Sequence, residues 1–260
     1  MPKISKKAQE LPSSPIRKLV AHADQAKSRG VEILHLNIGQ PDIEAPVEAM
    51  EIIRDHDFKL LPYGSSQGSL SYRKKLCAYY EQHNIDIDPN DIIVTTGASE
   101  ALSFTLNVIC DAGDEIIIPE PFYANYNGFA ASLSIEVIPI VSHFDNKFEL
   151  PPVKDLKKKI TKKTRAILIC NPSNPTGYLY TEIEINALLD LAVEKDIFII
   201  VDEVYREFIY TNSSHYSVLQ NKKGSQYAVM IDSVSKRYSL CGARVGCMIS
   251  KNRRLMSTAL

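Results

Sequence analysis

Net charge is almost absent from this chain. Its 260 residues carry 30 lysines and arginines against 31 aspartates and glutamates, a balance of −1. Neither a nucleic acid nor an anionic membrane is therefore favoured electrostatically as a partner. Cysteine is sparse and odd in number: Cys77, Cys110, Cys170, Cys241 and Cys247 are scattered, mostly inside apolar runs. They read as buried, reduced thiols of a cytoplasmic protein, not as a disulfide framework. Cys241 and Cys247 lie six positions apart without a histidine pair nearby, which argues against zinc, and no other metal site is expected. Long apolar runs are also missing; none approaches the roughly 20 residues of a membrane-spanning helix. The opening Met-Pro-Lys-Ile-Ser-Lys-Lys has no apolar core behind it, so no secretory leader is expected. There is no internal repeat and no low-complexity linker. What remains is ordinary globular composition, 45% hydrophobic and 23% charged, long enough for one large domain or two small ones.

What is present is an alternation of helical and strand-like segments. Ser14-Pro15 caps a helix running to about Arg29, with Gly30 as its stop. Val31 to Leu36 reads as a strand that empties into the turn-rich Asn37-Ile38-Gly39-Gln40-Pro41-Asp42. Helices are expected from Pro46 to about His56 and from Ser69 to about His83, with Leu61 to Gly68 as a loop. A strand at Asp91–Thr96 leads through Gly97-Ala98-Ser99-Glu100 into a helix ending near Cys110. Further strands are expected at Glu115–Ile118, Ile135–Val141, Ala166–Cys170, Ile197–Val201 and Ala228–Ile231. Thr181 and Glu184 are spaced as a capping box for a helix to about Lys195, and another helix begins near Asn252. Lys157-Lys158-Lys159 is most simply a solvated helix face. Several strands are continuous apolar runs, as parallel strands covered on both faces require. The fold class is therefore α/β, with an open, mostly parallel sheet.

In such sheets ligands bind beyond the carboxyl ends of the strands, and the conspicuous polar residues of this chain sit there. Gly97-Ala98-Ser99 is either tight strand-to-helix packing or a phosphate cradle of free N–H groups at a helix N-terminus. Asn171-Pro-Ser-Asn-Pro-Thr-Gly177 is a rigid turn, or a frame that pins Asn174 as a fixed hydrogen-bond donor. Asp202, directly after five apolar residues, is either an N-cap or a desolvated carboxylate in want of a cation. Lys236, taken alone, is a solvated surface charge. It stands in Ser233-Val-Ser-Lys-Arg-Tyr-Ser-Leu-Cys-Gly-Ala-Arg-Val-Gly246, where Arg244 adds a planar fork suited to phosphate. An acid for a buried cation, a phosphate cradle, an arginine and a lysine together match the needs of pyridoxal phosphate.

These motifs, in this order, resemble the class I/II aminotransferases of the fold-type I pyridoxal-phosphate family, aspartate-aminotransferase-like. The residues that carry the likeness are Asn171 to Gly177, Asp202-Glu-Val-Tyr205, Ser233 to Lys236 and Gly242-Ala-Arg244-Val-Gly246, with Gly97-Ala-Ser99, Tyr63 and Gly39 in agreement. The resemblance implies a three-layer α-β-α large domain and a cofactor, pyridoxal 5′-phosphate. It makes Lys236 the Schiff-base lysine and the base that moves the substrate proton. It places Asp202 on the pyridinium nitrogen, with Asn174 and Tyr205 on the phenolic oxygen. Gly97, Ala98, Ser99, Ser233 and Arg244, helped by Ser235, go to the phosphate. Tyr123 matches the ring-stacking aromatic, where family members often have the tryptophan this chain lacks. Tyr63 is similar to the tyrosine that reaches the neighbouring subunit's phosphate, which implies a homodimer. Gly39 and Asn174 are placed near the substrate carboxylate.

The same resemblance implies a division of the chain. Residues 1–40 go with a small domain, 41–260 form the large cofactor domain, and the C-terminal small domain is expected to be absent, its substrate-gripping arginine with it. Such a piece is expected to bind cofactor and to transaminate poorly. The implied activity moves an amino group between an amino acid, aspartate or similar, and a 2-oxo acid. The alternatives are a carbon–sulfur lyase, an aminocyclopropane-carboxylate-synthase-like enzyme, or a non-catalytic cofactor-binding fragment. A regulator would carry a DNA-binding helix-turn-helix, for which the N-terminal stretch is too short.

Overall fold

A computed structural model describes residues 2–10, 17–55, 59–60 and 62–260. Its centre is a seven-stranded sheet: β1 (Ile92–Thr95), β2 (Glu115–Glu120), β3 (Glu136–Val141), β4 (Thr164–Cys170), β5 (Phe198–Asp202), β6 (Ala228–Ser233) and β7 (Gly246–Ile249). The spatial order is β1-β7-β6-β5-β4-β2-β3. Every neighbouring pair is parallel except those made by β7, which runs antiparallel to both β1 and β6.

Period-two alternation along these strands feeds two separate cores. Ile167, Ile169, Ile199, Val201, Met230 and Ile249 point to one face, where they meet Leu76 and Tyr80 of α4 (Leu70–Glu81), Leu156 of α7 (Val153–Lys159) and Ile185, Leu188 and Leu189 of α8 (Glu182–Lys195). Leu168, Ile200, Val229, Ile231 and Met248 point to the other face. There they pack on Ala101, Leu102 and Leu106 of α5 (Gly97–Ile109), on Tyr126 and Ala130 of α6 (Asn125–Ser132), and on Leu255 and Met256 of α10 (Arg253–Ala259). Apolar runs buried on both faces thus produce the mostly parallel sheet read from the sequence and the three-layer α-β-α arrangement that the resemblance implies. The capping box of α8 forms: the Thr181 hydroxyl accepts from Glu184 N at 3.2 Å, and Thr181 N donates to the Glu184 carboxylate at 2.7 Å.

Three readings change. Residues 31–35 pair with no described strand and are not a β-element. The β-forming pattern is there, but Leu34 and Leu36 are 77% and 95% exposed, and no described strand pairs with the segment to complete a ladder. The first long helix is α2 (Val20–Lys27); it ends at Ser28, short of Arg29, with Gly30 in the turn beyond, and the proposed cap Ser14-Pro15 lies outside the described residues. Strand β7 was not foreseen. It begins at Gly246, two residues past Arg244, and is only four residues long.

That short strand ties the motif ends together. Gly246 sits between Thr95 of β1 and Ser233 of β6. A Cβ at position 246 would stand 2.5 Å from the Gly97 carbonyl carbon and 2.6 Å from Ala98 N. Both neighbours are backbone and cannot swing away. Gly246→Ala should therefore destabilise the chain by about 1–3 kcal/mol, seen as a lower denaturant midpoint at unchanged slope.

Candidate active site

A cavity of about 670 Å³ opens at the carboxyl ends of the parallel strands. Its wall contains Ala98, Ser99, Tyr123, Asn174, Asp202, Tyr205, Ser233, Ser235, Lys236, Arg244 and Gly39, contributions from six separate stretches of chain. Two of the residues singled out in the sequence lie elsewhere. Gly97 sits beneath Arg244, outside the wall, and Tyr63 is fully exposed.

The alternation of β5 and β6 explains the convergence. Ile200 and Ile231 face the α5–α6 side, so Asp202 and Ser233, two positions on, face it too. Asp202 is 4% exposed. Its Oδ2 accepts from the Tyr126 hydroxyl at 2.8 Å and its Oδ1 from Val204 N at 3.3 Å. Burial outweighs these bonds and raises its pKa from 3.8 to about 6. The carboxylate thus sits in a dry wall, turned to the cavity, and a cation bound there would relieve it.

Lys236 belongs to the single helical turn α9 (Val234–Arg237), which Ser233 caps by accepting from Ser235 N at 3.3 Å. Its Nζ donates to the Gly39 carbonyl at 2.6 Å and lies 5.9 Å from the centre of the Tyr205 ring. The loop before Pro41 is thereby drawn over the cavity. Gly39 is tight against Tyr205, whose hydroxyl would be 3.2 Å from any Cβ at position 39.

The opposite end of the cavity gathers hydrogen-bond donors. Helix α5 begins at Gly97, so the N–H groups of its first turn have no intrahelical partners. Arg244 lies across Gly97, where a Cβ would come within 2.3 Å of the guanidinium, and its Nη1 donates to the Cys241 carbonyl at 3.1 Å. Gly97 also has φ of +77°, a left-handed backbone that favours glycine. Position 97 must therefore lack a side chain for the Arg244 guanidinium to lie against the start of the helix.

Asn174 reaches the wall because Asn171 anchors its loop. Asn171 is fully buried; its Oδ1 accepts from Tyr180 N at 3.0 Å and its Nδ2 donates to the Tyr216 carbonyl at 3.3 Å. Tyr123 stands in the wall edge-on to Tyr126, with ring centres 5.4 Å apart, and its hydroxyl accepts from Asn125 Nδ2 at 2.6 Å.

Several wall residues escaped the sequence reading. Tyr126, one helical turn beyond Tyr123, is the main side-chain partner of Asp202, and that spacing was the available signal. Tyr126→Phe should cost about 1–3 kcal/mol at pH 8, because it leaves a buried carboxylate short of a donor; thermal unfolding measures this. Cys241 was placed among buried thiols. It instead lines the cavity, donates to the Ser235 carbonyl at 3.1 Å and lies 3.9 Å from Lys236 Nζ. Cys170 and Cys247 are buried, and Cys77 and Cys110 half-buried.

The family model for aminotransferase class I and II matches residues 31–260. The chain belongs to that family. Among curated relatives of this aminotransferase-family chain, the aspartate aminotransferase of Bacillus subtilis is 33% identical over 247 residues, covering 94% of the chain and 63% of the relative. The (5-formylfuran-3-yl)methyl phosphate transaminase of Methanocaldococcus jannaschii is 32% identical, covering 96% and 64%. The crystal structure of aspartate aminotransferase from Thermotoga maritima superposes with a TM-score of 0.92 at 28% identity, covering 98% of this chain and 68% of that one. The chain thus spans a little under two thirds of the length of these curated relatives. Two relatives of nearly equal identity carry different substrate names, so identity alone does not choose a substrate here.

Proposed function

We propose that this chain is the cofactor-binding body of a pyridoxal-phosphate-dependent aminotransferase, moving an amino group between an amino acid, aspartate or similar, and a 2-oxo acid. The observation that carries the reading is the convergence of Lys236, Asp202 and Arg244 on one cavity at the strand exits. In this reading residues 41–260 are the large domain and residues 1–40 a segment that goes with a smaller one.

The residues present fit the cofactor. Asp202, raised to about 6 by burial, has the place and the charge to hold a protonated ring nitrogen. The first turn of α5, with Ala98 and Ser99, would hold the phosphate beside Arg244 and the hydroxyls of Ser233 and Ser235. The Ser233 hydroxyl accepts from Ser235 N, so its own proton is free to donate. Tyr205 and Asn174 would meet the ring's phenolic oxygen, and Tyr123 its face. When bound, the group supplies an aldehyde for amine exchange and an electron sink for the carbanion left at the substrate's Cα.

The chain's own groups do the rest. Lys236 Nζ, now held by the Gly39 carbonyl, is the only lysine amine lining the cavity among the described residues. It is the group to capture the aldehyde and then to carry the proton from Cα. Gly39 and Asn174 stand where a substrate carboxylate would lie. Leu36, Ile38 and Phe122 line the same mouth and keep it apolar, which strengthens each charged contact inside. Exposed Tyr63, outside its own cavity, supports a homodimer in which it serves the neighbouring site.

The test is a titration of the purified chain with pyridoxal 5′-phosphate, followed by borohydride reduction and peptide mapping. The expected result is a new absorption band and one reduced adduct, on Lys236. Adducts spread over surface lysines, with no saturable band, would overturn the reading.

A further inference from the structure

The turn that carries Lys236 is bracketed by an ion pair on the other face of the sheet. Asp232 precedes the turn and Arg237 ends it, and Arg237 Nη2 donates to Asp232 Oδ2. Both side chains are buried, 6% and 2% exposed. The pair closes a ring over Ser233, Val234, Ser235 and Lys236, three of which line the cavity.

The ring is fastened to the body of the fold. The Tyr80 hydroxyl of α4 donates to Asp232 Oδ2 at 2.6 Å, and Ser233 N donates to Asp232 Oδ1 at 2.7 Å. The Arg237 guanidinium stacks 4.3 Å from the centre of the Tyr79 ring. Arg206 lies over Tyr79 and Tyr80 at 5.6 and 5.1 Å and faces Glu203 across 3.9 Å. Alternation puts Glu203 and Asp232 behind the sheet at the positions next to Asp202 and Ser233 in front of it.

A buried ion pair is a costly way to fill space, since apolar side chains of similar volume do it as well or better. What a guanidinium fork adds is direction. Direction is what this turn lacks by itself: α9 is four residues long, too short to hold its own geometry. Lysine's long stem adds further freedom at the reacting amine.

We propose that the Asp232–Arg237 pair is a positioning device for Lys236. It fixes the turn from behind so that Nζ projects into the cavity at one place. Only the second measurement below rests on the cofactor reading.

The first measurement needs no cofactor. Wild type, Arg237→Lys and the double variant Asp232→Asn/Arg237→Gln are labelled competitively with acetic anhydride at one pH, and mass spectrometry compares Lys236 with exposed Lys162 and Lys163. The double variant removes both charges and the fork, with Asp232→Asn isosteric and Arg237→Gln shorter; Arg237→Lys keeps the charge without the fork. The labelling rate at Lys236 should change by a factor of roughly three or more, with Arg237→Lys in between and the surface lysines unmoved. The second measurement compares covalent capture of pyridoxal 5′-phosphate with binding of pyridoxine 5′-phosphate, which has no aldehyde. Capture should slow roughly ten- to a hundredfold while pyridoxine 5′-phosphate affinity stays within about twofold. Unchanged Lys236 labelling in folded variants overturns the proposal, as do equal losses of capture and of pyridoxine 5′-phosphate affinity. Should the double variant not fold, Arg237→Lys decides by the same criteria. A wild type that captures no cofactor defeats the cofactor reading, and the labelling still decides the role of the pair.

Discussion

With Lys236 replaced by alanine, pyridoxal 5′-phosphate should still bind but should no longer become attached to the chain. The first turn of α5 and Arg244, proposed to hold the phosphate, are untouched by the change, as is Asp202. Affinity for the phosphate end should therefore survive. What disappears is the one lysine amine in the wall among the described residues. The borohydride-stable adduct should be absent, and amino-group transfer should fall by about 10⁴-fold, the upper range for a lost acid–base group. The fold should hardly notice. Lys236 donates to the Gly39 carbonyl at 2.6 Å and, over a long 3.9 Å, to Cys241 Sγ, and only approaches the Tyr205 ring, so the melting temperature should change little. A small primary amine added to the buffer should restore part of the rate by occupying the vacated space. Reduction that still leaves a single, saturable adduct on another residue would place the chemistry elsewhere.

How much of this was legible in the sequence follows from what depends on local chain and what on distant chain. The two-faced apolar runs at Ala166–Cys170 and Ala228–Ile231 made buried strands recognisable, because burial on both faces leaves no polar alternation. Once those strands are parallel, Asp202, Ser233 and the Gly97 turn must share an edge. Their order along the chain then suffices to bring them together. Residues 31–36 failed for the opposite reason: a strand needs a neighbour, and the pattern there cannot say that none is alongside. Strand β7 was hidden because four residues, Gly246 to Ile249, carry too little periodicity to register. Tyr126 meets Asp202 across 76 positions, and only the packing of α6 on the sheet reveals it. The Asp232–Arg237 bracket is local in sequence. It stayed unseen because two charges five apart read as solvated until their face is known to be buried.

Exchanging Asp202 for asparagine should raise the stability of the cofactor-free chain while it removes much of the function. Folding buries this carboxylate, and its pKa rises from 3.8 to about 6, chiefly through desolvation. A carboxyl raised in the folded state favours folding when protonated. Its contribution is complete below about pH 4 and is lost as pH climbs through 6. Above that the folded chain carries a buried charge that costs about 3 kcal/mol, roughly two pKa units. Asparagine has no proton to lose, and its carbonyl still accepts from the Tyr126 hydroxyl, while the loss of the longer 3.3 Å bond from Val204 N trims the gain. Glu203, raised to about 7 by its own burial, contributes with the same sign in both proteins and cancels in the difference. Without cofactor the variant should therefore melt about 5 °C higher than wild type at pH 8, with the gap closing toward pH 4. The same neutral amide cannot pair with a protonated ring nitrogen. Loss of that preorganised charge should slow amino-group transfer by about 10²- to 10³-fold. Calorimetry from pH 4 to 8 and rate measurements on the cofactor-loaded chain check the two halves separately. A variant that melts below wild type at pH 8 and keeps its rate would show that Asp202 serves packing alone. A gain in stability paired with a loss in rate would mark it as a charge held in place against the fold's own preference, for a cation that arrives only with the cofactor.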